Sequence, residues 1–299
     1  MASLPHISVC ICTYKRPDLL QRTLEGLENQ QTNGLFTYSA VVADNDAEGS
    51  AREAVEKCNA RGRMQAVYCM EPQKNIAMAR NRAVQTAGGD FIAFIDDDEF
   101  PIGGWLVHLF EALQRYGVAG VLGPVKPHFD AEPPRWVREG KFFDRPEYRT
   151  GYRMTWNQTR TGNVLFSKAI LKGDPEPFRV QFATAGEDMD FFRRMMEQGE
   201  VFLWCNEAIV YEVVPPARCT RKYLLRRALL RGSNFSKHPT ERFTNAVTSL
   251  IAVPCYTVAL PVLALFGQHV FLRYLIKLLD HSSRLLSYLG WSLVTQRQT

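Results

Sequence analysis

The sequence predicts an α/β fold, a mostly parallel central sheet flanked by helices. Three observations lead there. Four short apolar runs each give way to a stretch of helical spacing, the order that produces parallel pairing. The runs end in polar residues: Thr13-Tyr14, Asp44-Asn45-Asp46, Glu71, and Asp96 to Asp98. In open α/β sheets ligands collect at the carboxyl ends of the strands, so these polar ends mark one crevice.

The first run, "HISVCICTY", is β-branched and apolar, a buried strand that closes at Thr13 and Tyr14. After "KRP", Leu20, Leu24 and Leu27 recur at helical spacing within residues 18–30. "YSAVVADN" reads as a second strand and "SAREAVEKCNA" as a second helix, with Ser50 as its cap. "MQAVYCM" supplies a third strand, and "NIAMARNRAVQTA" a helix closed by Gly88-Gly89. "DFIAFIDDDEF" is the fourth strand, followed by a helix near residues 104–116. Past residue 120 Pro and Arg punctuate the chain and the pattern weakens. "TGNVLFSKAIL" reads as a further strand and turn. "TAGEDMDFFRRMMEQG" opens a helix that is acidic in its first turn and ends at Gly199, as the macrodipole favours. "EVFLWCNEAIVYEVVPP" provides one or two closing strands. Pro215-Pro216 then separates a domain of residues 1–215 from a region of residues 216–299.

A composition of 46% hydrophobic and 22% charged residues is that of a globular protein and excludes a disordered chain. The net charge of +5 conceals an asymmetry. Residues 216–299 carry 12 Lys or Arg against Glu241 and Asp280, while residues 1–215 carry 24 basic and 29 acidic side chains. An acidic front and a basic tail imply different partners, and for the tail an anionic membrane surface is expected rather than nucleic acid. Seven cysteines without small-scaffold spacing point to free thiols. The start "MASLPHISVCICTYKRP" has no basic region followed by a long apolar one, so no signal peptide is expected, and a reducing cytoplasm fits.

Four adjacent acids, Asp96 to Glu99, repel one another, so something positive is expected beside them. In an extended chain Asp96 and Asp98 share one side and Asp97 points to the other. Two carboxylates on one side suit Mg²⁺ or Mn²⁺, which take oxygen ligands and complete their shell with substrate phosphates. The competing reading is a solvated acidic turn that caps the next helix. A second acidic pair, Glu187-Asp188, stands at a helix start, where a carboxylate can take a proton from an attacking hydroxyl. The competing reading there is two acids serving the helix dipole.

"TYKRP", "VVADND", "NIAMARN", "FIAFIDDDEFP" and "GEDMDFFRRMMEQG" occur in this order. The set resembles the family 2 glycosyltransferases, enzymes of the GT-A fold that use nucleotide-sugar donors, and it covers most of residues 7–215. "VVADNDAE", "FIAFIDDDE", "VLGPV", "PRW", "TGNVLF" and "GEDMDFF" are similar to bacterial exopolysaccharide glucosyltransferases of the succinoglycan type. The resemblance implies a donor pocket formed by Thr13, Tyr14, Asp44 and Arg80, with Arg16, Asp46, Asn75, Asp96 and Asp97 beside them. Asp44 would accept a hydrogen bond from a uracil-like imide, which favours a UDP-sugar, with glucose as the expected sugar. Asp98, with Asp96, would hold the divalent metal. Asp188 would be the base of an inverting displacement, with Glu187 as its neighbour or substitute, and Gly162 and Asn163 would line the acceptor side. One departure stands out. Relatives commonly place a histidine after the last core strand to complete the metal site, and here that stretch offers Tyr211, with Glu212 on the opposite face. His108 and His128 show no ligand spacing.

In the tail, Arg227 and Arg231 lie four apart on an expected helix, a face that can hold a phosphate. Ala246 to Phe266 is free of charge and long enough to cross a bilayer, interrupted by Pro254 and Pro261. Residues 269–290 set Arg273, Lys277, Asp280 and Arg284 among leucines, an interfacial pattern. Together with the resemblance, the tail implies attachment to the cytoplasmic face of a bacterial inner membrane and a polyprenyl-diphosphate-linked or polysaccharide acceptor. Two other functions fit an α/β sheet with acids. A nucleotidyltransferase would normally carry a glycine-rich loop after the first strand, and "CTYKRPD" has no glycine. A catalytically silent scaffold would have no use for two carboxylate clusters.

Overall fold

Alternation along the first strand decides how the sheet is buried. In β1 (His6–Thr13), Ile7, Val9 and Ile11 face one side and Ser8 and Cys10 the other, and all five are buried. A strand hidden on both faces needs helices on both faces, which is why its sequence is a near-continuous apolar run. The computed structural model, which describes residues 3–182, 186–235 and 242–291, has that arrangement. Ile7, Val9 and Ile11 pack with Leu20, Leu24 and Leu27 of α1 (Pro17–Leu27), Val55 of α2 (Arg52–Arg61) and Trp105 of α4 (Trp105–Tyr116). Cys10 packs on the other side with Ala77 and Ala83 of α3 (Ile76–Thr86) and with Phe191 and Phe192 of α6 (Glu187–Glu197). Each such buried leucine or phenylalanine contributes about 1.5–3 kcal/mol.

The main sheet has seven strands, in the order β3 (Ala66–Met70), β2 (Thr37–Asp44), β1, β4 (Phe91–Ile95), β8 (Asn163–Ser167), β6 (Gly120–Leu122), β9 (Phe202–Trp204). The first four pair in parallel, as their alternation with helices predicts. β8 runs antiparallel to both β4 and β6, while β6 and β9 are parallel to each other. Of a second sheet of three short strands, β5 (Glu99–Pro101), β10 (Val210–Val213) and β7 (Val125–His128), only β10 falls in a stretch expected to hold a closing strand, and the sheet itself was not expected. Strands of three or four residues carry no readable period. The helix α2 begins at Arg52 with Ala51 at its cap, so Ser50 is not the cap expected. The buried carboxylate of Asp44 accepts the Ala51 N–H at 2.8 Å instead.

The chain forms two compact units, Met1–Pro127 with Arg145–Val213, and His128–Asp144 with Val214–Thr299. This differs in one segment from a contiguous boundary at Pro215-Pro216: residues 128–144, including α5 (Arg135–Gly140), go with the C-terminal helices. The second unit holds its own small apolar core of Val137, Phe143, Val214, Cys219 and Leu224. Its long helices are α7 (Arg221–Phe235), α8 (Arg242–Leu263) and α9 (Gln268–Tyr288). Thr184 and Ala185 ahead of α6, and residues 236–241 of the basic stretch, lie outside the described residues. All seven cysteines are free.

Candidate active site

β1 ends at Thr13, in register with Asp44 of β2. The chain then turns through Lys15, whose φ of 53° lies in the left-handed region, at a cost of roughly 1–2 kcal/mol for a residue with a side chain. Beyond this turn, the Arg16 guanidinium Nη1 lies 3.2 Å from Asp97 Oδ1 and 3.4 Å from Asp98 Oδ2. Thr13 Oγ1 donates to Asp97 Oδ2 at 2.8 Å. The cation expected beside the acid run is thus, in part, Arg16.

The run itself is a turn rather than an extended strand, closed by the Glu99 N–H donating to the Asp96 carbonyl at 3.1 Å. Strict two-sided alternation therefore fails, because Asp97 and Asp98 share Arg16. Glu99, which the sequence reading left without a role, is almost wholly buried. Its Oε2 accepts the Asp96 N–H at 3.1 Å, and its Oε1 has no hydrogen-bond partner among the described residues. Antiparallel pairing of β5 and β10 sets Glu99 opposite Glu212, and Arg145 pairs with both. Tyr211, at the position where relatives carry histidine, stacks on Phe100 with ring centroids 5.5 Å apart. It is Glu212 whose charge reaches Asp96 and Glu99. Among the described residues no three His, Cys, Asp or Glu side chains gather closely enough to hold a metal ion by themselves.

Burial, more than any neighbouring charge, sets the proton affinities of these acids. Burial pushes Asp97 up to about 6, although Arg16 and Thr13 oppose the shift. Burial also raises Asp96, where Arg80 opposes and Asp98 adds to the rise. Glu99 is raised well above the carboxylate range by burial and by Asp96, with Arg145 opposing.

The second acidic pair divides. Glu187 is buried and forms an ion pair with Arg80 of α3, itself buried and stacked toward Phe178, so Arg80 is no surface arginine. Asp188, the next residue on α6, is half-buried, and its Oδ1 accepts the Met189 N–H at 2.8 Å. Arg160 is exposed, and partial desolvation of its guanidinium and the charge of Arg145 lower its pKa, while the charges of Asp188, Glu99 and Asp96 oppose the fall. Gly162 sits against the same acids. A Cβ there would lie 2.9 Å from Glu99 Oε1 and 3.0 Å from Asp96 Oδ2, so a side chain at this bend before β8 would displace the two carboxylates. A pocket of about 100 Å³ beside them is lined by Arg145, Arg160, Tyr148, Gln158 and Trp204, among others.

Other expected site residues are committed elsewhere. Asn163 is buried, accepting from Trp105 Nε1 at 2.8 Å and donating to the carbonyls of Pro124 and Ala208, so it holds the core and does not face an acceptor. The Asn75 side chain caps α3 and donates to Val180 O at 3.0 Å. Asp44 is fully buried, accepting from Asp46 N, Ala51 N and the Tyr68 hydroxyl. In this conformation it shapes the loop after β2 and presents no face to a base. Asp46 is buried, 3.7 Å from Lys15 Nζ. Tyr14 is half-exposed, with Lys74 Nζ 4.4 Å from its ring centroid. In the second unit Arg227 is exposed, and Arg231 is paired with Asp280 at 3.0 Å.

Residues 8–172 match the family described as "Glycosyl transferase family 2". The chain belongs to this family. It is 35% identical over 244 residues to the succinoglycan biosynthesis protein ExoM of Rhizobium meliloti, an alignment covering 79% of this chain and 76% of that protein. It is 26% identical over 208 residues to glycosyltransferase AglE of Haloferax volcanii, covering 70% and 67% of the two chains. Among solved structures, S. aureus TarS 1-349 in complex with UDP-GlcNAc superimposes with a TM-score of 0.55 at 14% identity, over 95% of this chain and 92% of that one. At that identity the likeness speaks for the fold alone, and the fold is GT-A-like. The protein is therefore a family 2 glycosyltransferase similar to enzymes of exopolysaccharide synthesis.

Proposed function

We propose that the protein transfers a sugar, with inversion, from a UDP-sugar to a lipid-linked or polysaccharide acceptor at the cytoplasmic face of a membrane. UDP-glucose is the donor we favour. Asp188 is the base. The observation that carries this is the split of the second acidic pair, since Glu187 is locked to Arg80 while Asp188 stays half-exposed, its charge acting on Arg160. The acceptor hydroxyl gives its proton to Asp188 as its oxygen bonds to the anomeric carbon. The bond from that carbon to the diphosphate oxygen breaks on the opposite face, so the configuration inverts.

The donor diphosphate lies at the end of β4. A divalent cation fits there: the donors are all carboxylate oxygens, the orphaned Glu99 Oε1 is buried, and Asp96 and Asp97 have raised proton affinities. Asp98 and Asp96 would hold Mg²⁺ or Mn²⁺, with substrate phosphates completing the shell, the habit of Mg²⁺ in sites with one or two carboxylates. When bound, the ion neutralises charge on the departing diphosphate. Tyr14, with Lys74 against its ring, offers a face for the base. TarS structures with UDP and UDP-GlcNAc support a UDP-sugar donor, and the ExoM relative supports an acceptor built for exopolysaccharide. The pocket at Arg145, Tyr148 and Trp204 is the acceptor side, with Gly162 against Glu99 and Asp96 and Asn163 as internal support.

Asp188→Asn tests the assignment. Transfer of label from UDP-glucose to a membrane lipid extract should collapse while UDP binding by calorimetry survives. Unchanged turnover would remove Asp188 as the base.

A further inference from the structure

Thr244–Phe266 in the second unit contains an 18-residue window of mean hydropathy 2.1 and has the length of a membrane-crossing helix. Its packing argues against crossing. α9 runs antiparallel beside it: Asn245 meets Arg284 at 3.4 Å, Ser249 meets His281 at 3.0 Å, and the Tyr256 and Tyr274 rings lie 5.8 Å apart. Tyr256 is at the middle of the apolar stretch, so a crossing α8 would carry Arg273 and Lys277 to the centre of the bilayer. Charges there are strongly unfavourable.

Nor can α9 be left behind. Asp280 is paired with Arg231 of α7 at 3.0 Å, and Ser283 Oγ donates to Leu229 O at 2.6 Å. Gly232 lets α7 approach so closely that a Cβ would lie 2.3 Å from Asp280 O. Near the other end of α9, Arg273 donates to Gly140 O at 2.9 Å and His269 meets Glu139 at 3.3 Å. A crossing α8 would have to draw in α9, α7 and α5 with their ion pairs.

Among the described residues, one side of α8 has no such partners. Val247, Leu250, Ile251, Val258 and Val262, with Leu265 in the turn that continues the helix, are all exposed and recur at helical spacing, a single stripe about 27 Å long. Lys277, stacked on Tyr274 at 5.0 Å, stands at the flank of the helix pair with Arg273 one turn away. An apolar stripe flanked by tyrosines and cations matches the layering of one leaflet, acyl chains beneath phosphates.

We propose that α8 lies in the plane of the membrane, its Val247–Leu265 stripe sunk into the interfacial layer of one leaflet, and that it does not cross. This rests on the membrane association proposed above and sets its mode. It places α9, with Arg273 and Lys277, at headgroup level.

The test uses the full chain in a Cys255→Ser background with vesicles of phosphatidylethanolamine and phosphatidylglycerol. A bimane fluorophore is attached in turn to Ile251→Cys, Val258→Cys and Leu265→Cys, which lie two turns apart on the stripe. All three should be quenched alike by a shallow lipid nitroxide and little by a deep one. Deep quenching at 258 with shallow quenching at 251 and 265 would mean a span and overturn the proposal. Absence of quenching, with a dimer in solution that Val258→Glu dissolves, would assign the stripe to a second copy and overturn it equally. Val258→Glu should also weaken vesicle binding at least tenfold while detergent-solubilised transfer stays at the parent rate. Retained transfer with unquenched labels would reject this inference alone, whereas absent transfer in every form would reject the functional proposal.

Discussion

At the end of β4 neighbouring acids share cations, Asp97 and Asp98 on Arg16 and Glu99 with Glu212 on Arg145, whereas at the start of α6 two acids part company. Glu187 turns inward to Arg80, and Asp188 stays half-exposed, accepting the N–H of the next residue. The difference is one of backbone. A tight turn brings successive side chains toward one guanidinium, while a helix rotates them about 100° apart and separates an inner acid from an outer one. The first arrangement buries several carboxylates close together, and burial raises the proton affinity of Asp96, Asp97 and Glu99, which suits a cation. The second isolates one carboxylate, which suits a base.

The largest effect that would sharpen this contrast is on turnover. Asp188→Asn should lower kcat by about 10²–10⁴-fold, the span of general base catalysis, whereas Glu187→Gln should lower the melting temperature more than the rate. Equal rate losses in the two variants would break the division of labour. Next comes the inner pair. Arg80→Leu leaves Glu187 buried and uncompensated, a loss of about 3–5 kcal/mol, and the double variant with Glu187→Leu should recover most of it in urea denaturation. Gly162→Ala pushes a methyl group against Glu99 and Asp96, at about 1–3 kcal/mol, with a raised KM for the donor in initial-rate assays.

A single acid with a single cation, away from both clusters, gives the smallest effect. Burial works to raise the pKa of Glu28, but hydrogen bonds from Arg61 and Cys58, with the charges of Arg61 and Arg63, hold it below the usual range. A depressed folded-state pKa means that the stabilisation is present above the unfolded-state value, about 4.3, and lost as pH falls through the folded one. Thermal melts should therefore show the parent losing stability below that pH more steeply than Glu28→Gln.

Much of the catalytic unit was legible because its signals are local. Leu20, Leu24 and Leu27 declare α1, and the apolar runs of β1 to β4 declare a sheet covered on both sides. Asp96–Asp98 and Glu187-Asp188 were legible as acidic clusters through their placement at a strand end and a helix start. The partners of Asn163 and Asn75 were not. Their amides bond to Trp105, Ala208 and Val180, residues far away along the chain. That Glu99, Arg145 and Glu212 meet was not legible, because β5 must first pair with β10 to set Glu99 opposite Glu212.

By its own residue order the sequence determined the α/β class, the parallel half of the sheet, the family and the two acidic clusters, since periodicity and motif are properties of near neighbours. Tertiary structure alone decided which acid meets which cation, that β8 reverses direction, and that α8 is bound along its length to a charged helix. Those outcomes depend on contacts between residues distant in the chain, and no local pattern encodes a partner that only folding brings near.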